Sequence, residues 1–266
     1  MKRNAPSFAE VLDILHEIAP LELAAEWDNT GLLIQPNVRA GKVARLLLTI
    51  DLTDAVVAEA KSARADLVVA YHPPIFQGLK RLRVDDGKQR AVLLAAAAGL
   101  PVYSPHTALD AAPGGIADWL AEGMFGGEPT EDLRPCGEGE FGRVVQLARP
   151  VSFAKLLLRI KKLLGVRTLQ VARPAKAKSA VRSVAVAAGA GGSVLRGLQA
   201  DVFVTGEMSH HDALAAVAAG TTVVLAGHSN TERGYLRVLK KRLLRAFAPD
   251  LDVRIAKSDR DPFTLG

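Results

Sequence analysis

Apolar positions along the chain fall into two recurring patterns. Phe8, Val11, Leu12, Leu15 and Ile18 return every three or four residues, the spacing of one helical face, and Ser7 with Glu10 offers a capping box in front of them. An amphipathic helix is therefore expected over residues 7–19, stopped by Pro20. Short apolar runs at 32–34, 44–50, 66–70, 101–104, 143–147, 168–172, 181–187, 201–204, 222–226 and 251–255 read as strands. Helical spacing fills most of the intervals, at 53–64, 88–99, 116–122, 153–164, 194–198 and 212–219, with a basic, Leu-rich helix following Gly234. Strands alternating with helices predict an α/β fold of two lobes with largely parallel sheets. The Gly-rich, acidic stretch 125–142 is the clearest break in composition and reads as a linker. It separates an expected N-terminal lobe, residues 1–130, from a C-terminal lobe, residues 131–266.

Composition supports that class. Hydrophobic residues make up 49% and aromatics 5% of the 266 residues, so the core must be built from Ala, Val, Leu and Ile, as in sheets flanked by helices. One cysteine, Cys136, leaves no internal disulfide framework and fits a reducing compartment. Glu10, Asp13 and Glu17 interrupt what would be the apolar region of a signal peptide, and no apolar run approaches the roughly 20 residues of a membrane span. A cytoplasmic protein with no membrane partner is expected. The net charge of +6 is concentrated at 159–182 and 233–245. Such a surplus suits anionic partners, nucleic acid among them. Aromatics are not interleaved with these charges, which favours solvated helix faces over a nucleic-acid surface.

Candidate chemistry collects at strand ends. The positions just past the predicted strands carry Asp51, Tyr71 and His72, His106 and Asp110, Glu207 with His210 and His211, and His228 with Glu232. Five of the six histidines are there, where open α/β sheets bind their ligands. Histidine and carboxylate donors without thiolates suit one or two divalent ions such as Zn, Mn, Fe, Co or Ni. His228 and Glu232 are four residues apart and share one face if their helix begins early. The competing reading is local, with Ser229 capping that helix and Glu232 closing a capping box. A Gly-rich turn, Gly189 to Ser193, opens another helix and either receives phosphate or is only a tight turn.

Five motifs carry a family resemblance: Trp27-Asp28-Asn29-Thr30-Gly31-Leu32, Tyr71-His72-Pro73-Pro74-Ile75-Phe76, Ser104-Pro105-His106-Thr107-Ala108-Leu109-Asp110-Ala111, Thr205-Gly206-Glu207-Met208-Ser209-His210-His211-Asp212 and His228-Ser229-Asn230-Thr231-Glu232-Arg233-Gly234. In this order they resemble the Nif-three-like family, also called type 2 GTP cyclohydrolase I homologues. The resemblance implies two α/β lobes, a dinuclear metal centre in the cleft between them and a ring-shaped homohexamer. Carried over by position, the metal ligands are His72, Asp110, His228 and Glu232. Tyr71 stands where many members have the first histidine of a pair, and a tyrosine binds a cation only as phenolate, so the number of ions is open. The implied function is a metal-dependent hydrolase acting on a nucleotide, GTP cyclohydrolase-like, with Glu207 or the nearby His210 and His211 moving protons. The alternative is a non-catalytic, metal-loaded scaffold or metal-handling protein that binds protein or nucleic acid.

Overall fold

The apolar runs become strands and the three-to-four spacings become helices in the computed structural model, which describes residues 5–36 and 41–264. In chain order the elements are α1 (Phe8–Ile18), β1 (Gly31–Ile34), β2 (Arg45–Thr49), α2 (Asp54–Ser62), β3 (Leu67–Ala70), α3 (Gly87–Ala97), β4 (Val102–Ser104), α4 (His106–Ala111), α5 (Ile116–Phe125), β5 (Thr130–Cys136), β6 (Gly142–Ser152), α6 (Phe153–Leu164) and β7 (Gln170–Ala172). They continue with β8 (Ala180–Ala187), α7 (Gly192–Leu195), β9 (Val202–Thr205), α8 (His210–Ala218), β10 (Thr222–Leu225), α9 (Asn230–Arg233), α10 (Leu236–Phe247) and β11 (Asp252–Ile255). The fold is α/β with two sheets, and the chain divides into one unit of Met1–Leu109 with Tyr235–Gly266 and a second of Asp110–Gly234.

In the first unit the strand order is β1-β4-β3-β2-β11. All neighbours run parallel except the edge pair β1 and β4. Strands covered on both faces must be apolar throughout, which is why β2 and β3 read as unbroken runs. Leu47, Val68 and Val102 from the sheet meet Val56, Val57 and Ala60 of α2 and Val92 and Ala95 of α3. Side-chain caps start these helices: Thr53 accepts from the Val56 N–H, and Asp86 from that of Gln89. The closing helix and strand, expected with the C-terminal lobe, belong here. β11 pairs in parallel with β2, and α10 buries Leu236, Leu239 and Leu243 while Arg237, Lys241 and Arg245 stay exposed. The basic run is thus the solvated face of an amphipathic helix.

The second unit holds the order β5-β6-β8-β9-β10-β7. Its centre, β8, β9 and β10, is parallel, but β5, β6 and β7 join antiparallel, so this sheet is mixed where a largely parallel one was expected. The supposed linker is part of it. β5 lies inside the 125–142 stretch and pairs along β6 from Thr130 to Cys136. An edge strand with nearly every side chain exposed shows no apolar pattern, and its Pro135 is tolerated only at an edge, so composition concealed it.

One local device recurs in both units. Asp66, just before β3, accepts the N–H groups of Ala44 and Arg45, each at 2.9 Å. Asp201, just before β9, accepts those of Arg182 and Ser183 at 2.7 and 3.1 Å. Each carboxylate satisfies backbone donors at the start of a neighbouring parallel strand and so fixes the register that brings the strand ends level.

Candidate metal centre

Three histidines leave parallel strands in the same way, each with Nδ1 against a carboxylate. In the first unit β3 ends at Ala70, and the N–H groups of Tyr71 and His72 continue its ladder onto Thr49 and Ile50. His72 Nδ1 then lies 2.9 Å from Asp51 Oδ1, the residue just past β2. A carboxylate only accepts, so Nδ1 carries the proton, and in the neutral ring Nε2 is then the lone-pair atom. This carboxylate-to-imidazole arrangement is the one that orients metal-binding histidines. Tyr71 is 3% exposed, its carbonyl accepts from Ser104 Oγ at 2.7 Å, and its ring centre is 4.9 Å from that of His72.

His106 opens α4 with a φ of +31°, a conformation a residue with a Cβ adopts only when its surroundings impose it. The imposing group is Asp28. It lies 2.7 Å from His106 Nδ1 and accepts from both the N–H and the hydroxyl of Thr107. Burial alone would raise the Asp28 carboxyl, but the hydrogen bonds from His106 and Thr107 together outweigh it and hold it below its ordinary value.

In the second unit β10 ends at Leu225, and Ala226 and Gly227, the latter at φ +87°, lead on to His228. His228 Nδ1 is 3.1 Å from Glu207 Oε2, just past β9, and its Nε2 is 3.3 Å from Glu232 Oε1 on α9. Glu232 is buried to 1% exposure. The local alternative for this residue is not realised: Ser229 has helical backbone angles and makes no side-chain cap. Gly189, past the end of β8, lies directly against the donor atoms of the pair. Its N–H donates to Thr231 Oγ1 at 2.8 Å, and Thr231 Oγ1 donates to the His228 carbonyl at 2.7 Å. A Cβ on Gly189 would meet Glu232 Oε1 at 2.6 Å and His228 Nε2 at 3.0 Å, so only glycine leaves room for these donors.

The donor set fits a cation. With Nδ1 committed to Glu207, His228 Nε2 faces a second carboxylate oxygen, and this contact calls for a positive charge between the two atoms, a proton on Nε2 or a cation. Two donors about 2.1 Å from one tetrahedral ion stand about 3.4 Å apart, close to the separation seen here.

Of the residues singled out by sequence, the second unit brings together Glu207, His228 and Glu232, and the first brings together Tyr71 and His72. Asp110, on α4, is buried within the second unit as defined above. His210 and His211 are exposed at the start of α8, their ring centres 5.6 Å apart. The Gly-rich turn leads only into the four-residue α7, too short to provide a phosphate site. Sequence reasoning named Asp51 at a strand end and Asp28 within a motif, but gave neither the role the structure shows, a carboxylate behind an imidazole. Asp51 carried a signal, its position just past a strand end, whereas Asp28 read as an ordinary polar turn.

Comparison with known proteins adds an independent line. The family model described as Duf34/NIF3 (NGG1p interacting factor 3) matches residues 6–262. The chain is 43% identical over 264 residues to the "Protein NIF3 homolog" of Schizosaccharomyces pombe, covering 94% of this chain and 95% of that one. It is 38% identical over 265 residues to the "NIF3-like protein 1" of Drosophila melanogaster, covering 97% and 89%. A solved Bacillus cereus protein related to NIF3 superposes with a TM-score of 0.82 over 99% of this chain and 100% of that one, at 20% identity, a likeness of fold.

Proposed function

The chain belongs to the Duf34/NIF3 family, and from that premise we propose that it binds a divalent cation through His72, His228 and Glu232 and uses it to hydrolyse a nucleotide in the manner of a GTP cyclohydrolase. The observation that carries the reading is the His228 Nε2 to Glu232 Oε1 approach, with Nδ1 already held by Glu207 and Gly189 leaving space in front. His72, prepared in the same way by Asp51, is the third donor. Asp110 and Tyr71 are assigned as further ligands, and they decide whether one ion or two are held. Zn, Mn, Fe, Co or Ni all suit such donors.

A cation held there supplies Lewis acidity and makes its water more acidic, to a pKa of about 7 in favourable sites. The chain's own groups do the rest. Asp51 and Glu207 orient the imidazoles of His72 and His228 through Nδ1, so that Nε2 is the ring atom that would meet an ion in each. In this reading His210 and His211, exposed at the start of α8, or Glu207, against His228 Nδ1, move protons for the reaction. In the same reading the protein is a closed homohexamer in the cytoplasm, since closed point groups are the usual outcome for soluble homo-oligomers. Among the described residues no helix is long and apolar enough to cross a membrane.

The test combines metal content by plasma mass spectrometry, melting temperature with and without chelator, and GTP turnover in metal-buffered medium. Bound metal, a lower melting temperature after chelation and metal-dependent turnover are expected, because a ligand that binds only the native state stabilises it by mass action. Metal without turnover of any nucleoside triphosphate removes the hydrolase and leaves the scaffold or metal-handling alternative. No metal and no chelator effect removes both.

A further inference from the structure

The long connection from β3 to α3, Tyr71 to Asp86, has no regular structure, and irregular loops of more than about 12–15 residues usually carry function. Phe76 on this loop is 46% exposed and Trp27, on the turn before β1, is 61% exposed. Their ring centres are 5.9 Å apart, edge to face, and lie 6.1 and 6.5 Å from that of His106.

These rings are exposed but not loose. Asp28, next to Trp27, is tied to His106 and Thr107. The Asn29 side-chain amide donates to the Ile75 carbonyl, next to Phe76. Thr107 Oγ1 also accepts the Ala25 N–H at 3.0 Å. The two aromatic loops are thus pinned to each other on both sides, and a ligand landing on them meets a surface already ordered. Cations follow directly in sequence. Arg83 is committed to Asp85 at 2.8 and 2.6 Å, whereas Lys80 and Arg81 are exposed and have no side-chain partner among the described residues.

We propose that Trp27 and Phe76 are the stacking surface for the base of a nucleotide, with Lys80 and Arg81 receiving its phosphates. The assignment rests on the nucleotide reading above and says where that substrate's base is held. A flat, apolar, π-faced surface recognises a heterocycle, and adjacent uncommitted cations recognise its anionic tail. Two cations match the phosphates of one nucleotide, whereas a nucleic-acid strand would call for a row of them. Leu79, Leu82 and Val84 extend the apolar strip along the same loop, so a second copy of this chain is the competing occupant.

The protein has two tryptophans, so Trp119→Phe leaves Trp27 as the only reporter. Its emission is followed while GTP, guanosine or inorganic tripolyphosphate is added, to protein as isolated and after chelation. GTP should quench saturably in both samples, guanosine more weakly, and tripolyphosphate not at all. Phe76→Leu should weaken GTP binding by about ten-fold, the scale of one base-aromatic stack. Lys80→Ala with Arg81→Ala should weaken it several-fold and flatten its dependence on salt. The proposal is overturned if millimolar GTP causes no saturable change, if Phe76→Leu leaves the curve unmoved, or if the emission follows protein concentration and not nucleotide, the signature of self-association. Quenching without turnover sinks the hydrolase reading and leaves this surface standing. Turnover with KM unchanged in Phe76→Leu and in the double alanine variant does the reverse.

Discussion

Ser7-Phe8-Ala9-Glu10 and Ser229-Asn230-Thr231-Glu232 have the same signature, a serine with a glutamate three residues on at the start of a helix. At α1 both halves of the capping box form: the Ser7 N–H donates to Glu10 Oε2 at 2.7 Å, and the Glu10 N–H donates to Ser7 Oγ at 3.2 Å. At α9 neither does. Ser229 is already helical in backbone, Arg233 rather than a backbone amide reaches its hydroxyl at 3.3 Å, and Glu232 turns inward to His228. The first glutamate is exposed and serves its own helix, whereas the second is buried and serves a site built from three strand ends. A short motif specifies which groups can meet, and the packing around it decides which do.

The comparison breaks most sharply in metal content. Glu232→Gln keeps the side chain's size but removes the anionic donor, so metal measured by plasma mass spectrometry should fall to background with the chain still folded. Glu10→Gln should leave metal unchanged and lower the melting temperature only slightly, since glutamine also completes a capping box but lacks the charge. Equal metal in Glu232→Gln and wild type would refute the site.

Next in size is Gly189→Ala. Left-handed strain of about 1–3 kcal/mol combines here with a Cβ driven against Glu232 and His228, so both melting temperature and metal content should drop. Gly165→Ala is the control. Its φ of +70° imposes similar strain, yet no atom lies within 4 Å of the added Cβ, so stability should fall and metal should not. If both variants keep their metal, the space in front of Gly189 is not needed by an ion.

The serines should then separate. Ser7→Ala loses a real cap and should cost about 1 kcal/mol in chemical denaturation. Ser229→Ala loses no cap and should cost less than half of that. A reversed order would mean that the two sites had been assigned the wrong way round.

The smallest effect is in pH. Hydrogen bonds from the Ser7 backbone and hydroxyl lower the Glu10 carboxyl below its ordinary 4.5. Its contribution is therefore complete above that value and is lost as pH falls through the lower, folded one. Between pH 6 and pH 3 the wild type should lose slightly more melting temperature than Glu10→Gln, in which the group does not titrate. Parallel curves would show that the charge on Glu10 contributes nothing.

Sequence by itself determined whatever depends on neighbours in the chain. The buried parallel strands β2, β3, β8, β9 and β10 were legible because they are apolar on both faces, and α1 because its face and cap lie within a few residues. The chemistry-bearing residues His72, Glu207, His228 and Glu232 were legible because parallel strands deliver their exits to one edge of a sheet. Only the tertiary structure decided partnerships between distant residues: β11 with β2, the exposed edge strand β5 with β6, and Asp28 with His106 across 78 positions. It also set Gly189, which the sequence left as either a phosphate turn or a tight turn, against the donor atoms of His228 and Glu232. Local spacing fixes which face a side chain occupies, but whether that face meets solvent, a backbone amide or another carboxylate depends on strand order, which no local pattern encodes.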